Sequence, residues 1–136
     1  MPISKGFNHV ATLTTDMDLT VGFYEQAFGG VVTFEMQKTD DHPWMKIVDI
    51  GGGACLNIFH VDAQDLIGDR RRQGGRGAID HFAIAVDSLP TLENMQQRLA
   101  KAGAQEVGDI QRLGGEWSLF FRDPDGMELE VCCPAD

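Results

Sequence analysis

The chain has 136 residues, 43% of them hydrophobic, which suffices for one ordinary globular core but not for two independent domains. Its formal net charge of −10 works against nucleic acid or an anionic membrane as partner, because every phosphate would be repelled, and no apolar run approaches the roughly 18 residues of a membrane span. Cys55, Cys132 and Cys133 are odd in number and form no C-x-x-C pair, so a disulfide framework or thiolate zinc site is not expected. With Met1-Pro2-Ile3-Ser4-Lys5 unlike a secretion signal, the expected setting is reducing and cytoplasmic.

In chain order, His9 lies in a strand-like run, and residues 16 to 28 carry apolar side chains at Met17, Leu19, Val21, Phe23, Tyr24 and Phe28, close to helical spacing. Gly29-Gly30 closes that helix as a C-terminal glycine does. Val31 to Gln37, Trp44 to Ile50 and Ala54 to Val61 read as strands, separated by a polar loop and by Gly51-Gly52-Gly53, so the first module is βαβββ over about residues 5–63. Residues 64–77 form a linker or mobile loop. The second module, about residues 78–133, predicts a strand over Ile79 to Val86, a helix over Leu89 to Ala102, and strands near Gln105 to Ile110, Trp117 to Arg122 and Met127 to Cys132. Ser88, alone or with Asp87, can cap its helix, Pro90 suits the first turn, Gly103 ends it, and Asp123-Pro124-Asp125-Gly126 is a turn.

The modules repeat each other in chemistry as well as in pattern. Phe7-Asn8-His9-Val10-Ala11 matches Ile79-Asp80-His81-Phe82-Ala83 with the histidines 72 residues apart, and at an offset of 73 Asn57 in Leu56-Asn57-Ile58 matches Glu130 in Leu129-Glu130-Val131. Polar, ligand-capable residues at equivalent points of a duplicated unit indicate a shared polar site. Strand alternation places Phe82, Ile84 and Val86 on one face, suited to pack under a helix, and His81, Ala83 and Ala85 on the other. Met127, Leu129 and Val131 likewise oppose Glu128, Glu130 and Cys132. A face of small residues with a polar group near its end suits a sheet that holds a ligand.

The duplicated βαβββ pattern, the His opening each module, Phe23-Tyr24-Glu25-Gln26-Ala27-Phe28-Gly29 and Phe121-Arg122-Asp123-Pro124-Asp125-Gly126-Met127-Glu128-Leu129-Glu130 resemble the vicinal oxygen chelate superfamily, the glyoxalase, bleomycin-resistance and extradiol-dioxygenase group. The resemblance covers almost the whole chain and implies a single α+β domain of two modules pairing into a curved, partly closed eight-stranded mixed sheet with helices outside. Its cup would bind one divalent metal, with His9 and His81 as first-strand ligands, Glu130 as last-strand carboxylate and catalytic group, and Asn57 as a weaker fourth donor. Asn57 stands where glyoxalase I has Glu and methylmalonyl-CoA epimerases have Gln. Two imidazoles and one carboxylate suit Fe, Mn, Zn, Ni or Co and leave positions open for substrate oxygens.

The resemblance thus implies a metal-dependent lyase, isomerase or dioxygenase acting on a small oxygen-chelating molecule; the alternative is a metal-free protein that sequesters an antibiotic or toxin in the same cup. Arg70, Arg71, Arg72 and Arg76 are candidates for clamping an anionic substrate, against the plainer reading of a solvated loop, and Trp117 is a candidate edge of the cup. Exposed sheet edges predict a homodimer.

Overall fold

The structure is a computed structural model that describes residues 1–136, and the chain divides into two compact units, residues 1–65 and 66–136. In the first, β1 (His9–Thr14), α1 (Met17–Phe28), β2 (Val31–Met36), β3 (Met45–Gly51) and β4 (Ala54–His60) follow in order. Helix α1 starts where Asp16 accepts a hydrogen bond from the Leu19 amide at 3.1 Å and stops at Gly29, whose φ of 68° is left-handed. The next residue must also be glycine: a Cβ on Gly30 would lie 2.8 Å from Val48 Cγ1 and 3.1 Å from the Tyr24 carbonyl. The sheet order is β1-β4-β3-β2, with β1 and β4 parallel and the other pairs antiparallel. Met17, Val21, Tyr24 and Ala27 of α1 and Val48, Leu56 and Ile58 of the sheet are all almost fully covered and form the core of this unit.

The second unit repeats the plan with β5 (Phe82–Ala85), α2 (Leu89–Ala102), β6 (Gln111–Leu113), β7 (Glu116–Arg122) and β8 (Glu128–Pro134), ordered β5-β8-β7-β6. Ser88 caps α2 through the Thr91 amide, Pro90 occupies its first turn, and Gly103 ends it with φ 92°. Leu92, Leu99, Leu119, Phe121, Leu129 and Val131 are buried to 1% exposure or less and make its core. The two α+β modules are therefore each a four-stranded mixed sheet backed by one helix.

Two expectations of the second module change. Its first strand begins at Phe82 and not at Ile79, so His81 precedes the ladder. The expected strand from Gln105 to Ile110 is reduced to a single bridge between Gln105 and Arg122, and the strand proper is Gln111–Leu113. Glu106 takes a left-handed φ of 51° and breaks the alternation there, while its carboxylate pairs with Arg122. No helix is long and apolar enough to cross a membrane.

Candidate metal centre

The ladders confirm the repeat at the level of register. In the first unit Ala11 pairs with Asn57, and in the second Ala83 pairs with Glu130; each alanine lies two residues after a histidine, His9 or His81. Directly paired residues point to the same side of a sheet, so His9, Ala11 and Asn57 share one face and Ala83 and Glu130 share the equivalent face. The opposite faces hold the buried Leu56 and Ile58, and Leu129 and Val131, that pack under the helices. In the first unit the Asn57 face continues through Ile47 to Phe34, which is 50% exposed, and carries Leu13 at 42% exposure.

In the second unit the donor atoms are already gathered. His81 Nε2 lies 3.2 Å from Glu130 Oε1, and the other carboxylate oxygen accepts a 2.5 Å hydrogen bond from the Ser118 hydroxyl. Ser118 is 1% exposed, on β7, opposite Cys132 and diagonal to Glu130, so its short O–H···O bond holds the carboxylate in one orientation. Phe120, directly opposite Glu130, places its ring edge-on to the imidazole at 5.2 Å between centroids. At the other ring nitrogen, His81 Nδ1 donates to Asp80 Oδ2 at 2.8 Å. His9 has the matching contact, with Nδ1 2.8 Å from Asn8 Oδ1.

These contacts shift the local proton equilibria. The hydrogen bond to Asp80 raises the His81 pKa above its ordinary value; burial works against this, and Glu130 adds to it by hydrogen bond and charge. Asp80 is held below the usual carboxylate range, first by that same bond and then by the Arg76 charge. Cys132 is pushed up to about 12 by burial, then by the hydrogen bond and charge of Glu116 and the charge of Glu130, so it stays a thiol near neutrality.

A cation fits some of these groups and not others. An imidazole nitrogen and a carboxylate oxygen about 3 Å apart are spaced as adjacent ligands are when each bond is ~2.0–2.2 Å, so the His81–Glu130 pair suits a divalent ion of intermediate softness. Asp80, His81 and Glu128 also approach within 4.8 Å of one another, but the Arg76 guanidinium already neutralises the two acids. Glu116, Glu130 and Cys132 form a second such group, in which the protonated thiol is a poor donor.

The remaining sequence candidates fall elsewhere. Arg76 has a side chain only 5% exposed, with Nη1 at 2.6 Å from Asp80 and 2.9 Å from Glu128, so it is tied into the fold and not held out toward a ligand. The carbonyls of Arg70 and Arg71 accept hydrogen bonds from Arg122, while Arg71 and Arg72 are exposed. Trp117 pairs with Cys133 on the face of Leu119 and Phe121, opposite Glu130, and stacks with Arg112 at 5.9 Å. It does not share a face with the candidate ligands, because the register of β7 turns odd-numbered residues toward the helix. Asp80, Ser118 and Phe120 escaped the sequence reading. A polar Ser118 in a buried strand was the one signal pointing to any of them.

The family model of the Glyoxalase/Bleomycin resistance protein/Dioxygenase superfamily matches residues 6–131. The chain belongs to that superfamily. It is 31% identical over 129 residues to the metallothiol transferase FosB of Shouchella clausii, covering 93% of this chain and 79% of that one. Against the lactoylglutathione lyase GLX1 of Arabidopsis thaliana it is 30% identical over 133 residues, 94% of this chain but 44% of the lyase, so the chain spans less than half the length of that relative. Among solved structures, a glyoxylase/bleomycin resistance protein/dioxygenase domain from Frankia sp. EAN1pec superposes with a TM-score of 0.82 at 25% identity, covering 96% of this chain and 98% of that one.

Proposed function

We propose that this protein is a metal-dependent enzyme acting on a small oxygen-chelating substrate, with His9, His81 and Glu130 as the protein ligands of one divalent ion and Asn57 as a weak or substrate-displaceable fourth donor. The observation that carries the reading is the register: Ala11 opposite Asn57 and Ala83 opposite Glu130, each two residues beyond a histidine, set the same donor pattern into both modules. The His81–Glu130 spacing of 3.2 Å supports it, as does likeness to relatives named as a metallothiol transferase and a lactoylglutathione lyase.

Bound there, a divalent ion would supply Lewis-acid stabilisation of negative charge on a substrate oxygen. The chain's own groups do the rest. Ser118 keeps Glu130 oriented, Phe120 lays an apolar edge beside the imidazole, and Glu130 is the carboxylate placed to take or return a substrate proton. The module-one side offers a carboxamide in place of a second carboxylate, which favours chemistry served by one base over a two-carboxylate proton shuttle. Uncharged Ala11, Leu13, Ile47 and Phe34 around Asn57 support a substrate whose non-chelating part is apolar.

The test is metal content of freshly purified protein, followed by titration of Mn(II), Fe(II), Ni(II) and Zn(II) into chelator-treated protein and read as thermal stabilisation. The expected result is one ion per His9–His81–Glu130 set, lost in His81→Ala with the fold retained. Stabilisation by apolar ligands with no response to any metal would favour the sequestering protein instead.

A further inference from the structure

The segment between the modules belongs to the second compact unit, yet apolar burial does not hold it there: no residue from 66 to 79 is buried, and Ile67 is 92% exposed. It is nevertheless folded. The Asp69 carbonyl accepts from the Arg72 amide and the Arg72 carbonyl from the Gly75 amide, both at 3.0 Å, while Asp69 Oδ1 accepts from the Arg71 amide at 3.0 Å. The ends of the loop pass so close that a Cβ on Gly75 would lie 2.1 Å from the Asp69 carbonyl oxygen, and one on Gly68 would lie 2.4 Å from that of Gly75. Residues 68–77 thus form a compact loop with its ends together. Four of its ten residues are glycine, so the chain entropy lost on folding is large and these turns alone do not keep it ordered.

Two guanidiniums join this loop to the module, one from each side. Arg122, on β7, donates from Nη1 to the Arg70 carbonyl at 3.2 Å and from Nη2 to the Arg71 carbonyl at 3.1 Å. Arg76, on the loop, donates from Nη1 to Asp80 Oδ1 at 2.6 Å and reaches Glu128 at 2.9 Å. Arg122 and Glu128 pair directly across β7 and β8, in the register that also pairs Phe120 with Glu130. Both therefore project from the face that carries Glu130, two residues along from it, and the loop they hold lies over that end of the face. We propose that residues 68–77 are a strap closing the Glu128 end of this face, latched by Arg122 and Arg76, and that it opens as a unit while the sheet beneath stays folded. Its attachments are charge-assisted bonds at partly wet groups, with Asp80 39% and Glu128 24% exposed, so little apolar surface is at stake when they part. That the face so closed holds a metal rests on the function proposed above; the opening does not.

Native-state hydrogen exchange of metal-free protein, followed residue by residue in 1H–15N spectra, tests this on the Arg72 and Gly75 amides, whose bonds exist only in the folded loop. The reference is the set of ladder amides shared by β7 and β8. In the wild type the two strap amides are expected to be protected, to exchange faster than the ladder, and to ignore low concentrations of denaturant, as an opening that exposes little surface must. Arg122→Met should speed their exchange by at least ~10-fold, the effect of losing a charge-assisted hydrogen bond, and keep it insensitive to denaturant. Arg76→Met unties the other side and should act on the same two amides, so the latch is tested even if one variant does not fold. Three results overturn the proposal: strap amides unprotected in the wild type, strap amides with the denaturant dependence of the ladder, or exchange unchanged in a folded latch variant. A strap that opens as described, in a protein that binds no divalent metal, upholds the latch and refutes the metal reading.

Discussion

Arg76 offers the sharpest separation between a substrate clamp and a structural tie. Replacing it by Met keeps most of the side-chain volume and removes a guanidinium that holds Asp80 at 2.6 Å, Glu128 at 2.9 Å and the Arg70 carbonyl at 3.0 Å. Removing one partner of a fully buried ion pair costs ~3–5 kcal/mol. Here the acids keep some contact with water, at 39% and 24% exposure, so part of the penalty on the orphaned charges is relieved and the low end applies, roughly 3 kcal/mol. For a chain of this size that corresponds to a fall in Tm of about 10 °C. The assay is thermal unfolding by circular dichroism, in chelator so that bound metal adds nothing, with Arg72→Met as control. Arg72 is exposed, and its replacement is expected to change stability by no more than ~0.5 kcal/mol. If Arg76→Met costs less than ~1 kcal/mol while raising KM for an anionic substrate, the structural reasoning is refuted and the clamp restored.

Three further outcomes are expected. Ser118→Ala removes a 2.5 Å hydrogen bond to an ionised carboxylate in a 1% exposed position; with charged hydrogen bonds worth ~1.5–3 kcal/mol, metal affinity measured by calorimetric titration should fall by roughly tenfold or more, and an unchanged affinity would show that Glu130 needs no such support. If Asn57 is a ligand as proposed, Asn57→Glu should tighten metal binding by adding a charged group while lowering activity by filling a position the proposed function leaves to the substrate; a folded variant altered in neither respect places Asn57 outside the coordination sphere. The raised pKa of His81 has two consequences of definite sign. In metal-free protein its pairing with Asp80 and Glu130 contributes stability that is fully present below the unfolded pKa of ~6.5 and is lost as pH rises through the higher folded value, whereas metal binding needs the neutral ring and weakens as pH falls through that value. Denaturant unfolding and metal titration across pH 5 to 9 test both, and His81→Gln should flatten the stability profile.

Short-range rules settle those parts of the chain whose ends are specified by neighbouring residues. Helix α2 runs from Leu89 to Ala102 as expected because Ser88, Pro90 and Gly103 specify both ends locally, and α1 ends at Phe28 for the same reason at Gly29. The shared face of His9 and Asn57, and that of Ala83 and Glu130, follow from alternation plus a repeat visible as offsets of 72 and 73 residues. The candidate ligands were legible for that reason: duplication marks equivalent positions without any knowledge of contacts. Other features depend on where distant segments meet, which no local pattern encodes. Glu106, from a stretch patterned like a strand, adopts a left-handed conformation and pairs with Arg122, sixteen residues on, so the ladder forms later at Gln111. Arg76 reads as one more cation in an exposed basic run, and it becomes the least exposed member of an ion-pair network only because β8 brings Glu128 to it. Nothing in the local pattern of Ile79-Asp80-His81 tells a solvated aspartate from one that divides its oxygens between an arginine and an imidazole, because hydrogen-bond partners are chosen by three-dimensional proximity.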